Sequence, residues 1–235
     1  ILGGVWGGTF FFNAIAIPEI PPLVVIFFRV AIASIILWVV VLAGGIKVPR
    51  DATTWVDLVI MAALNSALPF FLIAWGQVHI ASGLASIMIG TTPLFAVVTA
   101  HFMTSDEKMS PGKVLGVLAG LVGVVVLIGP QFLGDIGKDL IAQLSVLGAA
   151  VCYAVSAIYG RRFSRRDTPP MMVATGQITM AAVLLLPFAL IIDRPWELAI
   201  PSMQAGGAVL GLAVLSTSFA YLIFFRILAR AGAVN

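Results

Sequence analysis

The chain has 235 residues, 61% hydrophobic and only 10% charged, with a formal net charge of +3 and a mean hydropathy of +1.12. A soluble domain is about a quarter charged, so these charges cannot cover a soluble surface, which excludes a soluble enzyme, a nucleic-acid binder and a disordered chain. A single cysteine, Cys152, excludes an internal disulfide and a multi-cysteine metal site.

In chain order, apolar stretches run over residues 1–17, 23–43, 56–77, 81–103, 112–130, 140–160, 170–192 and 205–228. Most approach the ~20 residues that cross a ~30 Å hydrocarbon core. Backbone polar groups in lipid must be satisfied internally, so the spans are predicted as helices. The ~10-residue alternating segments of a membrane barrel are absent. The expected fold is an all-α integral membrane bundle with about eight helices. Ile1 lies inside an apolar stretch and Asn235 follows no polar tail, so the sequence reads as a fragment of a longer chain.

Charge gives the orientation. Ten of the 13 basic residues sit in the even-numbered connectors or at the end of the eighth span: Lys47, Arg50, Lys108, Lys113, Arg161, Arg162, Arg165, Arg166, Arg226 and Arg230. The odd connectors hold only Lys138 and Arg194. The positive-inside rule then puts the even connectors and both ends of the fragment in the cytoplasm of a multi-pass inner-membrane protein.

Self-comparison at an offset of about 148–150 residues reveals a repeat. Ile20-Pro21-Pro22-Leu23 falls on Thr168-Pro169-Pro170-Met171, Arg29 on Gln177, and Ser66 with Leu72-Ile73 on Ser216 with Leu222-Ile223. Spans 1–3 thus match spans 6–8, and the unit is five helices. Five crossings are odd, so the second copy enters from the opposite side, as in inverted-repeat secondary transporters. The first repeat is placed at residues 1–131, lacking the start of its first helix. The second is placed at 132–235, lacking the last two of ten expected helices.

Trp6-Gly7-Gly8-Thr9-Phe10, Phe28-Arg29-Val30-Ala31 and Ile80-Ala81-Ser82-Gly83-Leu84-Ala85 leading to Thr92-Pro93 resemble the EamA-type, ten-helix branch of the drug/metabolite transporter superfamily. Leu215-Ser216-Thr217-Ser218-Phe219-Ala220-Tyr221 and Arg230-Ala231-Gly232-Ala233 resemble its second repeat. The resemblance implies an inner-membrane permease or exporter of a small metabolite, such as an amino acid, working by alternating access. With two histidines far apart, one cysteine and no central acid, no catalytic residues and no cofactor are expected. A non-transporting receptor or scaffold, or an integral-membrane enzyme, is the alternative.

Polar groups at membrane depth are costly and face protein or a cavity. A belt of them lies near the span centres: Trp6, Thr9, Asn65, Ser66, Thr91, Thr92, Tyr153, Ser156, Gln177 and Ser216, with Tyr221 one turn beyond. These are the candidate substrate-binding residues. Pro69 and Pro93 interrupt their helices and free the carbonyls of Asn65 and Ile89 as acceptors or hinges. Arg29, the one charge well inside a span, is a candidate anchor for the carboxylate of an anionic or zwitterionic substrate, with Glu19 as its resting partner; an interfacial, snorkelling arginine is the other reading. No acid lies near a span centre, so proton exchange through an embedded glutamate is not expected. Gly112, Gly116 and Gly120 make small-xxx-small steps on which another helix, or a second copy of the chain, can pack. Lipid and a small-molecule substrate are the expected partners; no nucleic acid and no metal are expected.

Overall fold

The computed structural model describes residues 2–133 and 139–224. Among them the chain forms eight helices and no strand. They are α1 (Leu2–Ala16), α2 (Pro22–Ala43), α3 (Ala52–His79), α4 (Ser82–Met103), α5 (Pro111–Leu133), α6 (Leu140–Arg165), α7 (Pro170–Asp193) and α8 (Met203–Phe224). At least six of them, α2, α3, α4, α6, α7 and α8, are long and apolar enough to cross a membrane. Arg226, Arg230 and Lys138 lie outside the described residues.

Local chemistry sets the starts. Pro22 and Pro170 stand at the first positions of α2 and α7, where a missing N–H costs nothing. The Asp51 carboxylate accepts the Thr54 N–H at 2.8 Å and so begins α3. The Ser202 hydroxyl accepts the Ala205 N–H at 3.1 Å and begins α8. These caps satisfy donors that the first turn leaves open. The Asp51 cap starts α3 four residues earlier than the apolar pattern alone, which begins at Val56.

Two helices change pitch at their centres. Ala63–Ala67 in α3 and Val214–Phe219 in α8 are π-turns. In α3 the Leu68 N–H reaches back five residues to the Ala63 carbonyl, just before Pro69, which has no N–H to offer. In α8 no proline is involved. There the Thr217 and Ser218 hydroxyls each bond the carbonyl five residues earlier, Leu212 and Ala213, at 2.9 Å. The α4 helix breaks at Gly90-Thr91 and restarts at Thr92-Pro93.

The bundle is polar-in and apolar-out in places that suit lipid. Ile35, Val39, Leu42 and Ile191 are exposed, while Arg29, Asn13, Gln177 and Ser216 are buried. The centre is the α2–α7 contact, filled by Val25, Ile26, Val30, Ala33, Leu37, Ile178 and Ala181. A polar stitch crosses it: the Ser34 hydroxyl lies 2.8 Å from Thr179 Oγ1, and Trp38 Nε1 donates to the same oxygen at 3.0 Å. Around this pair, α1 packs on α8, α3 on α6, α3 on α7, and α2 on α8. These five contacts map onto one another when helices 1, 2 and 3 are exchanged for 6, 7 and 8, whereas the smaller α2–α3 contact has no such counterpart among the described residues.

The α3–α6 contact is close. A Cβ on Gly76 would stand 2.6 Å from Val146 Cγ2, 3.0 Å from Ser145 Oγ and 3.2 Å from the Ala142 carbonyl oxygen. The last of these is backbone and cannot swing aside. Gly76→Val is therefore expected to cost about 1–3 kcal/mol through overpacking, read as a lower unfolding temperature of the detergent-purified protein; an unchanged temperature would contradict this packing. On α5, Gly120 packs on Leu94, with a Cβ 2.7 Å from Leu94 Cδ2, whereas Gly112 and Gly116 face open space.

Charge gathers on one side. Asp57, in the second turn of α3, is buried and receives Arg162 at 2.7 Å, Arg166 at 2.5 Å and the Tyr159 hydroxyl at 2.7 Å. The Arg162 guanidinium also lies over the Tyr159 ring. Arg161 pairs with Asp106 at 3.0 Å and with Glu107, both between α4 and α5. On the opposite side, Glu19 accepts the Ser202 N–H and hydroxyl, both at 2.8 Å. Those two bonds hold the Glu19 carboxyl below its ordinary range, so the contact weakens as pH falls through that lowered value. Glu19 thus joins the α1–α2 connector to the start of α8, and the arginines join the end of α6 to the start of α3.

Candidate functional site

A cavity of about 670 Å³ opens between α1, α2, α3, α4, α6 and α8, within the size range of small-molecule sites. Trp6, Thr9, Arg29, Asn65, Thr92, Pro93, Tyr153, Ser216 and Tyr221 all border it. The rest of its wall includes Phe10, Phe70, Ile73, Ser86, Ile89 and Phe224.

Asn65 is the hub of the polar wall. Carried on the π-turn of α3, its side-chain carbonyl accepts the Ser156 hydroxyl at 2.9 Å. Its amide nitrogen donates towards Gln177 Oε1 at 3.3 Å and the Tyr221 hydroxyl at 3.4 Å. Gln177 Nε2 donates to the Tyr221 hydroxyl at 2.8 Å. One network therefore joins α3, α6, α7 and α8. A fully satisfied network of this kind fixes its side chains in one arrangement.

Four sequence candidates lie behind the wall rather than on it. Ser156 and Gln177 are buried and hold Asn65 and Tyr221 from behind. Ser66 is fully buried and not part of the cavity wall. The Thr91 hydroxyl turns back onto the Met88 carbonyl at 2.6 Å. Thr92 does border the cavity, yet its hydroxyl takes the Ile89 carbonyl at 2.6 Å. That is the carbonyl Pro93 was expected to free for a substrate, so it is already occupied.

Arg29 is 3% exposed and does not snorkel to an interface. Its Nε donates to Thr217 Oγ1, on the π-turn of α8, at 2.9 Å, and its guanidinium carbon lies 3.9 Å from the centre of the Phe70 ring. Glu19 is not its partner; that carboxylate is held by Ser202 on the bundle's end. The repeat-matched Gln177 meets the π-turn of α3 as Arg29 meets the π-turn of α8.

A second polar group was not legible in the sequence. Asn13 Nδ2 donates to Gln77 Oε1 at 2.8 Å, and Gln77 Nε2 donates to Ser82 Oγ at 2.8 Å and to the Phe10 carbonyl at 3.1 Å. It ties α1 to α3 and α4 beside the cavity. These residues lie nearer the span ends than the central belt, so depth did not mark them; two long amides in apolar stretches were the available signal. Pairing of the kind α1–α4 needs cannot be seen in one sequence.

Comparison with known proteins agrees with this architecture. The model of the EamA-like transporter family matches residues 1–129 and 140–235. The chain is 28% identical over 229 residues to the uncharacterized transporter YoaV of Bacillus subtilis, covering 95% of this chain and 76% of that protein. It is 27% identical over 222 residues to the uncharacterized inner membrane transporter YedA of Escherichia coli K12, covering 92% of this chain and 68% of that protein. One solved crystal structure shares the fold with a TM-score of 0.65 at 20% identity, covering 94% of this chain and 76% of the other.

Proposed function

The chain belongs to the EamA-like transporter family, and we propose that it moves a small metabolite by alternating access through the cavity bordered by Trp6, Asn65, Tyr153 and Ser216. It is a multi-pass membrane transporter of the inner-membrane type. The reading is a carrier rather than a membrane enzyme, in keeping with relatives named as transporters.

In this reading residues 1–131 and 132–235 are two inverted repeats, and the arginine-rich side is cytoplasmic. Three observations support the repeats: π-turns at matching places in α3 and α8, caps at Asp51 and Ser202, and five helix contacts that map onto one another on exchange of the halves. Helices one repeat apart are separated by five crossings and so run antiparallel. The observation that carries the function is that helices from both halves send polar groups into one space of metabolite size. Substrate sites in such carriers lie near the midplane, where the repeats meet.

The test is flux. Purified protein in proteoliposomes is expected to equilibrate at least one metabolite from a labelled cell extract faster than protein-free vesicles, with Asn65→Leu abolishing the difference. Equal rates for every metabolite in both preparations would overturn the proposal.

A further inference from the structure

Resting on that reading, the geometry points to a substrate class: an organic anion with an apolar body and no cationic group, its carboxylate seated on Arg29. Arg29 is buried and borders the cavity, with its guanidinium against the Phe70 ring that also lines it. Among the described residues its one hydrogen bond is Nε to Thr217, and no carboxylate lies within ion-pair distance of it. A buried charge held by a single hydroxyl and an aromatic face is under-compensated. A carboxylate entering the cavity would supply both the opposite charge and acceptors for the remaining N–H groups, whose planar fork suits two oxygens.

The rest of the wall decides the body. Trp6, Phe10, Phe70, Ile73, Ile89 and Phe224 give aromatic and aliphatic surface, with Trp6 and Phe224 in ring contact at 6.1 Å between centres. Apolar area of this kind favours a hydrophobic ligand. Among the described residues no Asp or Glu borders the cavity. An α-ammonium group would therefore sit within a few ångström of the guanidinium, repelled by it, with no acid to pair with. A lone amine would meet the same repulsion with no carboxylate to offset it. Thr217 is a positioning residue here: its hydroxyl donates to the Leu212 carbonyl, two residues before the π-turn, and accepts from Arg29 Nε, fixing the guanidinium's orientation.

Three probes with one body separate the charges: 3-phenylpropionate, phenylalanine and 2-phenylethylamine. Binding to the purified protein in nanodiscs, by titration calorimetry, is expected to rank them in that order. The anion should bind at least tenfold more tightly than the zwitterion, and the amine should not saturate. Arg29→Gln is expected to lose roughly tenfold to a hundredfold in affinity for 3-phenylpropionate and to erase the ranking. Arg29→Lys, which keeps the charge, should retain the ranking at lower affinity. If the glutamine variant does not fold, the wild-type ranking decides alone. Equal affinities, tighter binding of either amine, or no saturable binding of 3-phenylpropionate at millimolar concentration would overturn the inference. Proteoliposome flux of the same probes keeps the two claims apart: phenylalanine carried without anion binding sinks the substrate class and leaves transport standing, while anion binding without flux of any metabolite does the reverse.

Discussion

Asn65→Leu is expected to lose about 2–3 kcal/mol of stability and to abolish flux. Leucine fits the volume but makes none of the hydrogen bonds. Gln177 Oε1, behind the wall and 2% exposed as a residue, loses the donor that reaches it at 3.3 Å. The Ser156 hydroxyl loses its acceptor but keeps the Tyr153 carbonyl at 2.8 Å, and Tyr221 keeps Gln177. One buried amide oxygen is thus left open and the two hydroxyls are partly compensated, which sets the cost at that of one or two unsatisfied groups. The functional loss is larger than the energetic one, because the polar hub of the cavity wall is replaced by an apolar side chain. Unfolding temperature and flux, measured on the same preparation, check this; a variant with wild-type values for both would show that the network is incidental.

Asp57→Asn is expected to open the arginine-rich side of the bundle. Its carboxylate receives two arginines and a tyrosine at the junction of α3 and α6. The acid is buried, but the two arginine side chains are 43% and 41% exposed, so water recovers them when the charge is removed. The loss is therefore held to about 1–2 kcal/mol, nearer an exposed pair than a buried one. Across two carrier states that energy is roughly a fivefold to thirtyfold change in population. The partner fastening at the other end, Glu19 with Ser202, consists of hydrogen bonds to a neutral group and is untouched. A cysteine introduced at Ser216 should then react faster with an impermeant thiol reagent from the arginine-rich side, without a gain from the other. Unaltered rates on both sides would mean that this cluster does not hold the carrier closed.

The helices were legible because hydrocarbon thickness and backbone satisfaction leave the chain few choices. Apolar runs of the right length, punctuated by Pro21-Pro22, Pro169-Pro170 and Gly44-Gly45, are enough to count spans. What the runs could not show is where α3 begins, since Thr53, Thr54 and Trp55 dilute its first turn while Asp51 caps it. Position along each span was also readable, and residues chosen by it, Trp6, Thr9, Asn65, Tyr153, Ser216 and Tyr221, border one cavity. Azimuth was not. Ser66 and Asn65 are adjacent, yet only Asn65 borders the cavity, and the π-turn at Ala63–Ala67 shifts the angular register of everything after it relative to a continuous α-helix. Nothing in α8 announces its own π-turn, because no proline marks it. Arg29 shows the same limit. Its position in α2 was plain, but its partners Thr217 and Phe70 lie 188 and 41 residues away, and the pairing with Glu19 suggested by proximity in sequence does not occur.

The central claim is that one cavity is reached from both sides of the membrane in turn. Ser216→Cys in a Cys152→Ala background places a single thiol on its wall. Labelling with an impermeant maleimide should proceed in right-side-out and in inside-out vesicles, be slowed on both faces by bound substrate, and block flux when complete. Reaction from one face only, whatever the substrate concentration, would contradict alternating access through this cavity.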